Sequence, residues 1–158
     1  MAAMRKQAFF DDHWGKGWPD LKIMEACFLD PVRRAQLFAR ERDGGSFFVE
    51  TGSPDSTASE VKSALYLHMN ADHGVKLVYS RWDGRIQRKD DYDSKGDLTR
   101  LREFVRSFHD TPLSAGLFIP FERGWNAVKE FMQTDGELPK SIEWIANSEL
   151  PPGTFPDP

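Results

Sequence analysis

The chain holds one cysteine, Cys27, in 158 residues. A single thiol excludes an intrachain disulfide and a thiolate zinc site alike. Long hydrophobic runs are also missing. Phe9-Phe10 is followed at once by Asp11-Asp12, and no stretch reaches the length of a membrane span or a signal-peptide core. These absences predict a cytoplasmic protein with no membrane partner. No internal repeat, Pro/Gly linker or low-complexity block divides the chain, whose length suits one domain with its own core.

Chemical motifs are equally sparse. There is no GxSxG elbow, phosphate-cradling loop or dinucleotide fingerprint. The HxE with paired cysteines is absent too, so the chain is not itself a zinc deaminase. Cys27 lies in the apolar run Ile23 to Leu29, where a thiol reads as an inert core group. The best metal candidate is the cluster His68, Asp72 and His73, but strand alternation points His68 away from where a loop His73 would return. His13 and His109 are remote from it. The expectation is therefore a non-enzyme with no catalytic residue, metal or cofactor. The alternative is a small metal-dependent enzyme using His68, Asp72 and His73.

What the chain does have is aromatic residues, 13% of its length, enough to build a core around Phe and Trp. Its formal charge of -4 is unevenly placed. Through Phe121, 18 Lys/Arg balance 18 Asp/Glu, whereas from Glu122 onward 3 Lys/Arg face 7 Asp/Glu, and 3 - 7 accounts for the whole -4. An acidic C-terminal third, with no aromatic-basic motif elsewhere, argues against direct nucleic-acid binding and for a basic protein partner.

Periodicity predicts an α+β fold, an antiparallel sheet meander with two or three packed helices in a single domain. In HWGKGWPD, Trp14 and Trp18 are expected to pack on the domain, an exposed contact patch being the alternative. Asp30-Pro31 should cap and start a helix to about Arg42. Ser46 to Thr51 reads as a strand, followed by the polar loop GSPDSTASE. Ala64 to Met69 and Val75 to Trp82 alternate at period two and form a hairpin. Arg85 to Arg88 suggests a short further strand before the charged loop RKDDYDSKGD, and Asp97 is placed to cap a helix to about His109. Residues 1–45 are expected as an N-terminal helical extension, 46–147 as the α+β domain, and 148–158, with four prolines among the last ten residues, as an extended tail.

The strongest local pattern is IPFERGWNAVKEFMQTDGELPKSIEWI, Ile119 to Ile145. Phe121, Trp125, Val128 and Met132 form one stripe at helical period, with Ala127 and Phe131 widening it. Gly136 suits the residue after the last turn, and beyond Pro139 the period becomes two, so Ile142 and Trp144 share a face. A strand from Ser141 to Ile145 and a largely buried Trp144 follow. This unit, a helix, a Gly stop, Leu-Pro and a closing Ile-x-Trp, resembles the C-terminal signature of the first-numbered immunity family of bacterial polymorphic toxin systems. The resemblance is clearest over Leu117 to Ile145 and looser over Ser46 to Trp82. It implies a small cytoplasmic protein, used in interbacterial competition, that binds and occludes a cognate toxin acting on nucleic acid, such as a deaminase or nuclease. A toxin of that kind would present a basic active-site groove. The residues offered to it are Trp82, Asp83, Asp90, Asp91, Tyr92 and Asp93, in a segment expected to be a projecting loop.

Overall fold

Alternating residues in the middle of the chain need a second and third strand to pair with, and they find them on both sides. The computed structural model describes residues 3–52 and 60–156. The polar loop GSPDSTASE falls largely on residues 53–59, outside the described residues. Strands β1 (Ala3–Phe10), β2 (His13–Lys16), β3 (Gly44–Gly52), β4 (Val61–Asn70), β5 (Gly74–Asp83), β6 (Arg88–Ser94), β9 (Phe118–Ile119) and β10 (Trp144–Ala146) form one antiparallel sheet. Its order is β10-β6-β5-β4-β3-β1-β2, with β9 paired to the start of β5. A second, two-stranded sheet joins β7 (Phe104–Arg106) to β8 (Pro112–Ser114). The three helices are α1 (Leu21–Leu29), α2 (Pro31–Ala39) and α3 (Phe121–Gln133). The architecture is thus an open α+β fold dominated by a meander.

Helix α3 forms where the 3.6-residue stripe predicts it. Trp125, Ala127, Val128, Phe131 and Met132 are buried against the sheet, and the large side chains among them contribute roughly 1.5–3 kcal/mol each by area removed from water. Gly124 lets the helix approach β5, because a Cβ there would lie 2.8 Å from that of Val75. After the helix, Gly136 takes a positive φ of 94° and its amide closes on the Phe131 carbonyl at 2.9 Å. Its own carbonyl accepts the buried Tyr79 hydroxyl at 2.8 Å. Strand β10 starts at Trp144, later than Ser141, because the Glu130 carboxylate accepts the Lys140 and Ser141 amides and holds the link in a turn. Trp144 is half-buried, less than the largely buried position expected of it; it packs on Tyr79 and donates to the Pro139 carbonyl at 2.8 Å.

Residues 3–45 hold two strands that the sequence reading did not place, besides two helices. Asp20 caps α1, its carboxylate accepting the Lys22 and Ile23 amides, and Asp30 caps α2, its carboxylate accepting the Val32 amide. β1 pairs along its length with β3, so this segment completes the same sheet. The β1–β2 turn is fastened to α2 by ion pairs from Arg33 to Asp11 and from Arg40 to Asp12.

Three local expectations need correction. Arg85 to Arg88 forms mainly the turn between β5 and β6, with Gln87 at positive φ, while the charged segment after it is strand β6. Asp97 does cap a turn, through Thr99, but only a three-residue 3-10 turn results. The remainder of the expected helix is a hairpin of β7 with β8, leaving Phe104 and Phe108 exposed. Ring contact with Phe38, and a hydrogen bond from the Phe108 amide to the buried Asp43, dock that hairpin onto the domain.

Candidate partner interface

Strand parity divides the sheet into two unlike faces. On one, Ala8, Phe47, Leu65 and Tyr79 meet in register with Tyr92 and share the core with all three helices. On the other, Phe9, Phe48, Tyr66 and Trp82 point away from that core, and none of them belongs to it.

The six residues expected to meet a partner are brought together at the β5–β6 end, but not as a loop and not on one face. Trp82 and Asp91 have the parity of the outer face. Asp83, Asp90 and Tyr92 have the opposite parity. Trp82 is exposed, whereas Tyr92 is half-buried and packs on Tyr79. Asp83 is gripped by both ends of the Arg85 guanidinium, at 3.0 and 2.9 Å, which holds its carboxyl down at about 2. Asp90 pairs with Arg88 at 3.1 Å and Asp91 with Lys89 at 3.7 Å. The acids in this patch are therefore neutralised by their own neighbours.

Asp93 departs furthest from the expectation, being 1% exposed. Its Oδ1 lies 3.9 Å from Lys76 Nζ, an ion pair too long for a hydrogen bond, and that oxygen has no hydrogen-bond partner. Oδ2 accepts Asn147 Nδ2 at 3.1 Å. Burial pushes the Asp93 carboxyl up and the Lys76 ammonium down, against the pull of each on the other. From the C-terminal segment Phe155 lies over Lys76, its ring centroid 5.6 Å from Lys76 Nζ.

His68, Asp72 and His73 do not converge. His68 lies on the outer face of β4, and burial lowers its pKa, with Lys76 adding to the effect. Asp72 and His73 occupy the β4–β5 turn, where Asn70 Oδ1 accepts both their amides. Among the described residues no group of three or more His, Cys, Asp or Glu is placed to hold a metal ion. A cleft of about 700 Å³ borders this turn, with Arg34 stacked 3.7 Å over Phe121 as one wall. Cys27 is buried, and burial raises its thiol pKa. No helix of the described residues is long and apolar enough to cross a membrane.

An aromatic row on the outer face has no local signal in the sequence. Trp14 and Phe9 meet edge-on at 5.5 Å, Phe9 and Phe48 at 6.1 Å, and Phe48 and Tyr66 at 5.7 Å. Its members come from four strands, and the pairings of β1 with β2 and β3, and of β3 with β4, bring them together.

An open sheet face beside a helix-covered core is a geometry that many folds share, and by itself it names no function. Residues 36–146 match the family model described as Immunity protein Imm1. The chain belongs to this immunity family. The match begins inside α2 and ends with β10, so the Imm1 unit holds most of the sheet, while β1, β2 and α1 lie outside it. No curated protein and no solved structure matches the chain. Membership in Imm1 carries toxin immunity as the function, with a cognate toxin as the partner.

Proposed function

We propose that this immunity protein binds its cognate toxin in the bacterial cytoplasm and covers the mouth of an active site that acts on nucleic acid, as in a deaminase or nuclease. It would serve in a polymorphic toxin system, protecting the producing cell in competition with other bacteria. The single observation that carries the reading is the Imm1 match over residues 36–146. Inhibition of this kind is occlusion and needs no turnover. Trp82 supplies an aromatic anchor, and Asp83, Asp90 and Asp91 stand where phosphates would lie in a basic groove. The present partners of Asp90 and Asp91 are surface cations, and such ion pairs are weak enough to be exchanged for those of a toxin, whereas Asp83 stays with Arg85. Tyr92 and Asp93 support this edge from within.

Co-expression with the toxin domain encoded beside this protein's gene is the test. The wild-type protein should restore growth. Asp83, Asp90 and Asp91 changed together to Asn should weaken binding on the order of 100-fold, and more at low salt than at high. Growth arrest despite a folded, expressed wild-type protein would refute the reading.

A further inference from the structure

The outer face of the sheet is divided between the chain's own C-terminal segment and solvent. Over β5 and β6, Asn147 and Phe155 cover Asp93 and Lys76. Over β2, β1, β3 and β4, the aromatic row remains open: Trp14 is 72% exposed and Tyr66 40%, and Trp82 at 39% continues the patch toward Asp91. Large aromatics on one contiguous face, outside the core, mark an interaction site.

Resting on the toxin reading above, we infer that this aromatic face is the main docking surface for the toxin. It seats on an apolar, acid-rimmed wall of the toxin next to its active-site groove, while the β5–β6 edge enters the groove. Two observations select this occupant. The face concentrates cations although the chain is acidic overall: Arg5, Lys16 and Lys62 outnumber Glu50, which pairs with Arg5 and Lys62. An acidic partner surface complements it, and a second copy of the same face would be repelled. The rings also meet at steep angles of 76°, 72° and 82°, with Lys62 Nζ 5.5 Å over Phe48. Such an edge-to-face row lacks the parallel ring faces on which successive bases stack, so it suits protein side chains better than a nucleic-acid strand. Beside Trp14, a cleft of about 270 Å³ over Gly44 and Gly45, walled by Phe9, Arg42 and His68, can take one side chain of the partner. Trp14 and Phe9 lie outside the Imm1 match, so the N-terminal hairpin enlarges the docking face beyond the family unit.

Calorimetry of the full chain against the neighbouring-gene toxin domain tests this with Trp14→Ala plus Tyr66→Ala, and with Trp14→Ala alone in case the double variant does not fold. Affinity should fall about 100-fold in the double variant and at least about 10-fold in the single one, with the melting temperature of the single variant unchanged. Lys16→Glu should slow association several-fold at low salt. Wild-type affinity in the aromatic variants would overturn the docking surface and leave the immunity reading standing. No binding by the wild-type protein would remove both. A dimer of this chain that Trp14→Ala dissolves, or a single-stranded oligonucleotide that the wild type binds and Trp14→Ala does not, would assign the face to another occupant and overturn the inference.

Discussion

Lys76 on β5 and Asp93 on β6 face each other at 3.9 Å, both buried, beneath the C-terminal segment that carries Asn147 and Phe155. An acid that reads from sequence as a partner contact is thus an interior group tying two strands to the tail. Removing one member of a buried pair strands the other charge. Asp93→Asn is expected to lower unfolding stability by about 3 kcal/mol, measured by urea denaturation. Replacing both residues with apolar ones, Lys76→Met with Asp93→Leu, should recover most of the loss. An Asp93→Asn protein of wild-type stability would contradict this placement.

The contact between Tyr79 and Gly136 locks the end of α3 to the sheet. Tyr79→Phe removes the donor and leaves the Gly136 carbonyl without it, an expected cost of about 1 kcal/mol. Gly136→Ala should cost more. Its φ of 94° disfavours a side chain, and the new Cβ would press to 3.1 Å on Val49 and Ser63. Denaturation of the two variants checks this, and an unaffected Gly136→Ala protein would contradict it.

How much of this was legible in the sequence depended on whether the deciding contacts are local. The α3 stripe, the Asp30 cap and the alternation in β4 and β5 are short-range signals, and each became the expected element. The segment from Asp97 to His109 has apolar residues at helical spacing, yet pairing of β7 with β8 overrides that preference, with a turn at Asp110 held at φ 63°. β6 hid behind its charges, because a run of Lys and Asp looks solvated until Arg81 is set opposite Asp90 in the register. Trp14 and Trp18, treated alike from sequence, separate in the structure. Trp18 packs on Phe47 and Phe131, whereas Trp14 stands in solvent on an edge strand. Nothing within a few residues of either tryptophan could tell them apart.

His68 predicts a pH dependence. Burial, reinforced by Lys76, holds its pKa below the ordinary 6.5. Between the folded value and 6.5 the unfolded chain binds a proton that the folded chain refuses. The stability tied to neutral His68 is therefore fully present above that window and is lost as pH falls through it. His68→Gln should flatten the decline on the acid side of neutrality, Asp93 being common to both proteins. Urea denaturation at a series of pH values reads the difference. A variant whose stability falls with acid as steeply as the wild type's would contradict the assignment.

Toxin immunity is tested by calorimetric titration of the wild-type protein into the toxin domain encoded beside its gene, paired with an assay of that toxin's activity on nucleic acid. One immunity protein should bind per toxin, with a dissociation constant in the nanomolar range or tighter, and toxin activity should fall in step with the bound fraction. No heat of binding, or a toxin that stays fully active when saturated with this protein, would contradict it.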